Sequence, residues 1–268
     1  MTRRLVMGLV VAVIAILGYF SKSAINPVTQ EKQHVGDITP EQEVALGLQA
    51  APEMLQQFGG PDPDPEAQAL VRRVGERLVS RSAAAQSPYR FEFHLLDDPK
   101  TINAFALPGG QVAITEGLLR KLETEGQLAG VLGHEIGHVV ARHGAEHIAK
   151  QQLTQGLTGA AVLATYDPNN PSSRGSAAVA AMIGQLVGMR FGRQDELESD
   201  ELGVRFTSEA GYDPRSMNGL MKILSESSEG GRPPEFFSTH PNPENRVQRI
   251  EAAIKKRYPD GVPAGLEK

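Results

Sequence analysis

The sequence predicts an α+β fold that is mostly helical, with a small β-sheet beside a central helix and a hydrophobic segment before the folded body. Three observations favour this fold class. Apolar residues recur at helical spacing over several long stretches. Alternating apolar and polar residues, which are typical of strands, occur within residues 91–114. The 268 residues, 40% hydrophobic and 22% charged, suit one globular domain with a substantial core.

The first 23 residues are predicted to lie outside that domain. Arg3 and Arg4 precede an uninterrupted apolar run from Leu5 to Phe20, which is the pattern of a signal peptide. As a helix this run would be roughly 24 Å long, which is shorter than the ~30 Å hydrocarbon core of a bilayer. A cleaved signal peptide and an uncleaved anchor both remain open, and both predict an exported body. The predicted organisation is a signal peptide or membrane anchor over 1–23, a linker over 24–36 and one domain over 37–268.

Two helices are predicted at the start of the domain. Thr39, followed by Pro40 and by Gln42, is typical of a capped helix start, and this helix is expected to run to about Phe58. After a break rich in Gly and Pro, a second helix is expected from about Glu66 to Ala85. Its predicted buried face consists of Leu70, Val71, Val74 and Leu78.

A small sheet is predicted next. A strand is expected over Phe91–Leu95, and a hairpin or bent strand pair over Ala104–Ile114, turning around Pro108-Gly109-Gly110. A sheet edge beside a catalytic site can bind an extended polypeptide as an additional strand. An ordinary sheet edge fits the same pattern equally well.

The stretch Leu128–Lys150 is predicted to form one long central helix. Its apolar face consists of Leu128, Leu132, Ile136 and Val140, which recur four residues apart. Thr124 and Gln127 favour a capping box just upstream. Three glycines, Gly130, Gly133 and Gly137, lie inside the helix, where each costs about 1 kcal/mol relative to Ala. We therefore expect another element to approach this helix closely.

Residues 134–138 of this helix form the pattern H-E-x-x-H. His134 and His138 are about one turn apart, so both imidazoles can bind one zinc ion. Glu135 lies beside them, where its carboxylate can take a proton from a water that zinc has made more acidic. The pattern is short and also occurs by chance in proteins that bind no metal. Because the chain contains no Cys, any zinc site must use His and carboxylates.

A third protein ligand is expected from the acidic stretch 190–200, because a catalytic zinc site typically has three. Glu196 and Asp200 share one helical face, which would supply a metal ligand and an acceptor for the N–H of a ligand His. Glu198 lies about 200° around the helix from Glu196 and has no such neighbour, so Glu196 is the predicted ligand. Without H-E-x-x-H, a solvated acidic face would be the better interpretation.

Other features of the sequence say less about the function. His143 and His147 are interpreted as surface or supporting groups, because one continuous helix would place them two and a half turns past the ligands. Residues 151–190 are rich in small apolar residues, are broken at 167–171, and predict short core helices. The net charge of -5 and the lack of a basic patch argue against a nucleic-acid partner.

Taken together, these blocks resemble the CAAX prenyl protease family of zinc endopeptidases, family forty-eight of the metallopeptidases. The resemblance covers roughly Val71–Tyr258 and is closest to the bacterial envelope branch, which is linked to quality control of outer-membrane proteins. The matching blocks are 134–143, Glu196 with Asp200, 103–110, 116–119, 239–241 and 26–29. The resemblance implies a zincin-like fold and one zinc ion per chain, bound by His134, His138 and Glu196. It also implies Glu135 as the catalytic base and Asp200 as a support for the ligands.

The same resemblance makes His240 and Arg246 candidate site residues. In envelope relatives the His of the matching Thr-His-Pro segment reaches the zinc, so His240 is a candidate switch that leaves during turnover. The loop 229–234 before it is rich in Gly and Pro, which is typical of a mobile lid. The alternative is that His240 caps the helix that follows Pro243. Arg246 is expected near the active site, and both residues are candidate donors to a developing oxyanion.

The implied function is hydrolysis of peptide bonds in exported, misfolded or misassembled envelope proteins. The implied location is the periplasm, or the outer side of a membrane that residues 1–23 anchor. Polypeptide substrates are the expected partners, together with the membrane if residues 1–23 stay uncleaved. Two alternatives remain: an envelope chaperone-like module with a structural or autoinhibited zinc site, and a helical scaffold without metal.

Overall fold

The computed structural model describes residues 3–21, 23–36, 38–165, 191–227, 234–241 and 245–268. Helices dominate the described residues, and the strands form two small sheets. The helices are α1 (Arg3–Ser21), α2 (Pro40–Gln57), α3 (Pro65–Ser80), α4 (Glu116–Leu119), α5 (Glu125–Val140), α6 (His143–Thr165), α7 (Arg193–Glu209), α8 (Ser216–Glu226), α9 (Phe236–Thr239) and α10 (Arg246–Arg257). The strands are β1 (Ala24–Ile25), β2 (Lys32–Gln33), β3 (Glu92–Leu96), β4 (Ala104–Leu107) and β5 (Gln111–Thr115).

The larger sheet has the strand order β3-β5-β4. The predicted hairpin is confirmed, because β4 and β5 pair antiparallel with Ala104 opposite Ile114. Its turn contains Gly109 and Gly110 at φ values of +84° and +110°, which residues with a side chain rarely adopt. Strand β3 pairs in parallel with β5. The central strand is therefore β5, with β3 on one side and β4 on the other. All five residues of β5 are buried, and both β4 and β5 contact α5.

The predicted helix starts are confirmed more fully than the predicted ends. Thr39 caps α2 by accepting a hydrogen bond from Gln42 N, and the Gln42 side chain accepts one from the Thr39 backbone in return. The second helix was expected to reach Ala85, but α3 ends at Ser80. The hydroxyl of Ser82 accepts a hydrogen bond from Ala84 N and begins a separate 3-10 turn over Ala83–Gln86, which ends the α-helical pattern. Of the predicted buried face, Val71, Val74 and Leu78 are fully buried, whereas Leu70 is half-buried.

Helix α5 lies at the centre of the fold. Every residue from Gly126 to Val140 is buried, because α3, α7, α8 and the larger sheet surround the helix. Thr124 caps it as predicted, but the Gln127 carboxamide accepts from Glu123 N and not from the cap residue itself. The predicted capping box is therefore only half formed. The polar residues of a helix that is buried on all sides must find their partners inside the protein or in a bound group.

The prediction of one continuous helix over Leu128–Lys150 is wrong. Helix α5 ends at Val140, and α6 begins at His143. Between them Arg142 adopts φ +58°, a left-handed conformation that cannot continue a right-handed helix. The Arg142 guanidinium donates to the carboxylate of buried Glu43 and to the carbonyl of Ile38, at 2.7 Å. These contacts from α2 and its preceding segment hold the bend.

The N-terminal apolar run forms α1, which lies alongside α6. Large apolar side chains on α1, including Leu9, Ile14 and Leu17, are exposed. Within the described ranges, no helix is both long enough and apolar enough to cross a membrane. Residues 166–190, which contain the break predicted at 167–171, lie outside the described residues, as do residues 229–233 of the predicted lid loop.

Candidate metal centre

Four buried side chains converge beside the middle of α5. His134, His138, Glu196 and His240 each offer one nitrogen or oxygen atom, and these atoms all lie within 4.8 Å of one another. Each of the four residues is at most 2% exposed. The predicted ligands His134, His138 and Glu196 are therefore brought together, and the candidate switch His240 joins them.

The approach of α7 to α5 brings Glu196 to the two His residues. A methyl group placed at Gly137 would lie 3.1 Å from both Cα and O of Ser199, so the two backbones meet with almost no space between them. At Gly133 the nearest atoms, from Thr207 and Gly203, would lie 3.4–3.5 Å away. The predicted close approach to the α5 glycines is thus confirmed. It places Glu196, one turn before Asp200, against the face that carries the imidazoles.

The separations of the four side chains fit a tetrahedral zinc site. Ligands at the usual zinc distance of about 2.05 Å lie about 3.3 Å apart at the corners of a tetrahedron. The His134 and His138 Nε2 atoms are 3.1 Å apart, and Glu196 oxygens lie 3.5 and 3.4 Å from them. His240 Nδ1 is 3.3 Å from His134 Nε2 and 3.1 Å from Glu196 Oε1. Nitrogen and carboxylate donors of this kind are those that zinc prefers, so the residues present fit the ion.

The pKa values of the two predicted His ligands move in opposite directions. Burial lowers the pKa of His138 well below its ordinary value of 6.5, despite its contact with Glu196. Burial and the charge of Arg246 also act to lower the pKa of His134, but hydrogen bonds to Asp200 and Glu196 outweigh them and raise it to about 9. The difference arises because His134 contacts two carboxylates. These two carboxylates place negative charge beside the His134 ring.

Behind His134, Asp200 and Arg246 form a buried ion pair. Asp200 Oδ1 lies 2.9 Å from His134 Nδ1, where it can accept that N–H and leave Nε2 free as a metal ligand. Burial acts to raise the pKa of Asp200, but the charge of Arg246 and the hydrogen bonds to His134 and Arg246 together outweigh burial and lower it. Arg246 Nη1 also lies 3.3 Å from Glu196 Oε2. The guanidinium is thus directed at the carboxylates that support the site.

The predicted base, Glu135, lies at the edge of the four-residue cluster. Its carboxylate is fully buried, and neither oxygen has a hydrogen-bond partner within the described part of the chain. The Glu135 Oε1 atom lies 3.6 Å from His240 Nε2. Burial raises the pKa of Glu135 above its ordinary value. A buried carboxylate without a partner, next to metal donors, is suited to exchange a proton with a substrate or a water.

His240 is held in the cluster by its own short segment. Its backbone N–H donates to Phe236 O at 2.8 Å, and its ring stacks on Phe236 with the centroids 4.4 Å apart. Phe191 N donates to Thr239 O at 3.1 Å, and the Phe191 ring lies against His138. The alternative interpretation, in which His240 only caps the next helix, does not describe this position. Its imidazole lies among the other donors.

His143 was interpreted as a surface or supporting group. It is 2% exposed and its Nδ1 lies 2.9 Å from His138 Nδ1, so it is a supporting group and not a surface one. The sequence interpretation missed its contact with Glu198, whose Oε2 lies 3.1 Å from His143 Nε2. The break at Arg142 explains the omission, because a continuous helix would have carried His143 away from His138. His147, by contrast, is half-buried and does not belong to the cluster.

Comparison with known proteins gives the family. The model of Peptidase family M48 matches residues 65–254. The Beta-barrel assembly-enhancing protease of Escherichia coli (strain K12) is 33% identical over 195 residues, which cover 69% of this chain and 38% of that protein. The protein of the same name from Yersinia pestis is 35% identical over 204 residues, covering 73% and 41%. The Mitochondrial metalloendopeptidase OMA1 of Schizosaccharomyces pombe is 32% identical over 252 residues, covering 90% and 71%.

The chain spans about two fifths of the length of these bacterial relatives. The resemblance is confirmed for peptidase family forty-eight as a whole, and none of these three relatives carries the name of a CAAX prenyl protease. The matched range contains all of the predicted ligands, the predicted base and Arg246. Since that range is well over half of the sequence, the chain belongs to peptidase family M48.

Proposed function

We propose that this chain is a zinc-dependent endopeptidase that hydrolyses peptide bonds of exported envelope proteins that are misfolded or misassembled. One observation carries the proposal: His134, His138 and Glu196 present donor atoms at tetrahedral spacing, with the unpartnered Glu135 carboxylate beside them. This combination of three ligands and a free buried base is what metal-assisted hydrolysis requires.

In the proposed mechanism His134, His138 and Glu196 hold the ion. When bound, zinc supplies Lewis acidity, which polarises the scissile carbonyl and lowers the pKa of a water. Glu135 takes the proton of the attacking water and later delivers it to the leaving amine. The raised pKa of Glu135 suits both roles, because a group that must accept and then return a proton works best near the operating pH. Asp200 keeps the His134 ring in the orientation that directs Nε2 at the ion.

His240 is proposed to be a reversible fourth ligand. Its position favours this role, since Nδ1 lies 3.1 Å from Glu196 Oε1 and Nε2 lies 3.6 Å from Glu135 Oε1. A His in that place occupies space that a water and a scissile carbonyl need. Turnover then requires the segment 236–241 to move away, which would break the hydrogen bonds of Phe236 N to Ile102 O and of Phe191 N to Thr239 O.

Arg246 forms ion pairs with Asp200 and Glu196. It is therefore proposed as a charge partner for these carboxylates and not as an oxyanion donor.

The same fourth donor favours a second candidate function. If His240 never leaves, the centre is a closed site of three His and one Glu, and zinc has a structural role. The chain would then be a chaperone-like module that binds unfolded polypeptides without cleaving them. The two functions predict different results when His240 is removed: a peptidase gains activity or keeps it, whereas a structural site loses stability and gains no cleavage.

The test is a comparison of zinc content and casein cleavage in wild type, Glu135→Gln and His240→Ala. We expect Glu135→Gln to bind zinc as wild type does and to cleave at least ~100-fold more slowly, because only the base is removed. A chelator should stop wild-type cleavage, and zinc should restore it. The matched control is Glu53→Gln, the same change at an exposed residue of α2, which should cleave normally. Wild-type cleavage rates in Glu135→Gln would contradict the assignment of the base.

An envelope location is proposed on separate grounds. Arg3 and Arg4 before the apolar run favour export of the body, with residues 1–23 acting as signal peptide or anchor. The name of the bacterial relatives, which refers to β-barrel assembly, supports substrates from that compartment. A C-terminal alkaline phosphatase fusion should be active in bacteria, because that enzyme folds only outside the cytoplasm. An inactive phosphatase fusion together with an active β-galactosidase fusion would exclude the envelope.

A further inference from the structure

We infer that His143 and Glu198 form a positioning relay that fixes the tautomer and the orientation of the zinc ligand His138. The relay runs from Glu198 Oε2 to His143 Nε2, at 3.1 Å, and from His143 Nδ1 to His138 Nδ1, at 2.9 Å. This inference rests on the metal site of the proposed function, and it assigns a role to two residues that the proposed mechanism does not use.

The direction of each hydrogen bond is fixed by the number of protons available. His138 Nε2 faces His134 Nε2 and Glu196 Oε1, so this nitrogen must be the unprotonated one if it is to bind a cation. A neutral imidazole carries one proton, which therefore sits on His138 Nδ1. His138 Nδ1 then donates to His143 Nδ1, which must be an acceptor. The single proton of neutral His143 is left on Nε2, where it donates to Glu198 Oε2.

The ligand His134 is supported in the same way, but without an intermediate His. His134 Nδ1 lies 2.9 Å from Asp200 Oδ1, so a carboxylate accepts its N–H directly. For His138 the carboxylate is farther away, and His143 spans the gap. A metal-ligating His usually donates its second N–H to a carboxylate, a carbonyl or a water, and loss of that acceptor typically weakens metal binding about 10- to 100-fold. The supporting contacts of both His ligands of α5 thus end on a carboxylate of α7.

Neighbouring side chains contact both imidazoles of the relay. Phe191 lies against the His138 ring, with the centroids 3.9 Å apart and the planes 25° from parallel, so His138 cannot tilt freely. Ser199 Oγ lies 3.5 Å from His143 Nδ1 and is the weaker contact. The far end of the relay is open, because the Glu198 side chain is 28% exposed and lines a cavity of about 490 Å³. Changes at Glu198 therefore test the relay without opening the packed core.

The experiment measures zinc affinity by competition with a chromophoric chelator. His143→Phe keeps the ring and removes both nitrogens, and we expect about 10- to 100-fold weaker zinc binding. His143→Asn places an amide oxygen near the position of Nδ1, so it should recover most of that loss. Glu198→Gln should weaken binding by less than His143→Phe does. The matched control is Glu201→Gln, which removes a carboxylate from the same helix and the same cavity and should leave the affinity within about twofold of wild type.

A second readout reports the protons themselves. Long-range proton–nitrogen NMR spectra of the zinc-loaded protein should show wild-type His143 protonated on Nε2 alone, and His138 protonated on Nδ1. Thermal unfolding of each variant at saturating zinc identifies any that simply fail to fold. If His143→Phe is folded and binds zinc as tightly as wild type, the relay is wrong. An equal loss of affinity in Glu198→Gln and Glu201→Gln would overturn it as well, because a general charge effect would then suffice.

These outcomes separate the relay from the proposed function. The relay stands without the peptidase if the affinity pattern is as expected and wild type cleaves no casein. The peptidase stands without the relay if wild type cleaves, Glu135→Gln does not, and His143→Phe binds zinc normally.

Discussion

Arg246 binds Asp200 through two parallel hydrogen bonds, from Nε to Oδ2 at 2.6 Å and from Nη2 to Oδ1 at 2.9 Å. Both residues are at most 2% exposed. The pair connects the first turn of α10 to the middle of α7, directly behind His134. The Arg246 guanidinium thus balances the negative charge of Asp200. Its Nη1 also lies 3.3 Å from Glu196 Oε2 and balances part of that charge.

Replacement of Arg246 by Met should destabilise the fold strongly. The substitution keeps much of the side-chain length but leaves Asp200 buried without its counter-ion, which typically costs about 3–5 kcal/mol. Urea unfolding at pH 7 in the presence of a chelator measures the change in the free energy of unfolding. Arg249→Met, in the next turn of α10, is the control, because Arg249 is 52% exposed and should change stability by no more than about 0.5 kcal/mol. Equal stability of the two variants would show that the buried pair contributes nothing.

As the pH is lowered, peptidase activity should begin to decline at a higher pH than the ordinary pKa of a Glu side chain would give. Burial raises the pKa of Glu135 above its ordinary 4.5, so the base is protonated, and inactive, over a wider acid range. As pH falls through the raised pKa, kcat/KM should therefore fall, with a midpoint above 4.5. The measurement is a pH profile of peptide cleavage, with the zinc content determined at each pH so that metal loss is separated from protonation of Glu135. A flat profile down to the ordinary Glu pKa of 4.5, at constant zinc content, would contradict the prediction.

Two glycines of α5 should respond differently to the same change. In Gly137→Ala the new methyl group lies 3.1 Å from the Ser199 backbone, which must move and carry Glu196 and Asp200 with it. We expect a loss of about 1–3 kcal/mol in stability, together with weaker zinc binding. In Gly133→Ala the nearest atom lies at 3.4 Å, an ordinary contact, and the helix gains up to about 1 kcal/mol in propensity. Thermal unfolding and chelator competition on both variants test the contrast, which fails if Gly137→Ala is the more stable of the two.

Zinc should stabilise the folded chain through mass action. A ligand that binds only the native state adds about 2.7 kcal/mol at a free concentration of about 100 times its Kd. Denaturant unfolding with and without zinc should show this increase in wild type and in Glu135→Gln, which retains the three proposed ligands. His134→Ala removes a ligand and should lose most of the increase. Equal stabilisation of His134→Ala and wild type would place the ion elsewhere.

Local signals predicted a large part of this molecule. The cap at Thr39, the hairpin around Gly109 and the helix predicted around H-E-x-x-H each depend on residues a few positions apart, and the structure contains all three. The shared face of Glu196 and Asp200 was predicted in the same way, and their side chains do reach the His residues. Their chemical roles stay predictions until they are measured.

The error at the end of α5 comes from contacts between distant parts of the chain. The pattern of apolar residues continues through Ala141, Ala145 and Ile148, so nothing local marks the end of α5. Arg142 adopts its left-handed conformation where it can reach Glu43, which lies 99 residues earlier. The parallel pairing of β3 with β5 is equally non-local, because the hairpin strand β4 separates them in sequence. The relay through His143 was missed for the same reason, since only the bend brings it to His138.

The bend also constrains how this part of the chain can change. Connecting residues on a surface usually tolerate insertions and deletions. Ala141 and Arg142 are the whole connection between α5 and α6, and each added helical residue rotates the next helix by about 100°. A single inserted residue at this joint would swing His143 away from His138 while leaving H-E-x-x-H intact. The metal site therefore depends on the length of the two-residue bend as well as on the residues of H-E-x-x-H.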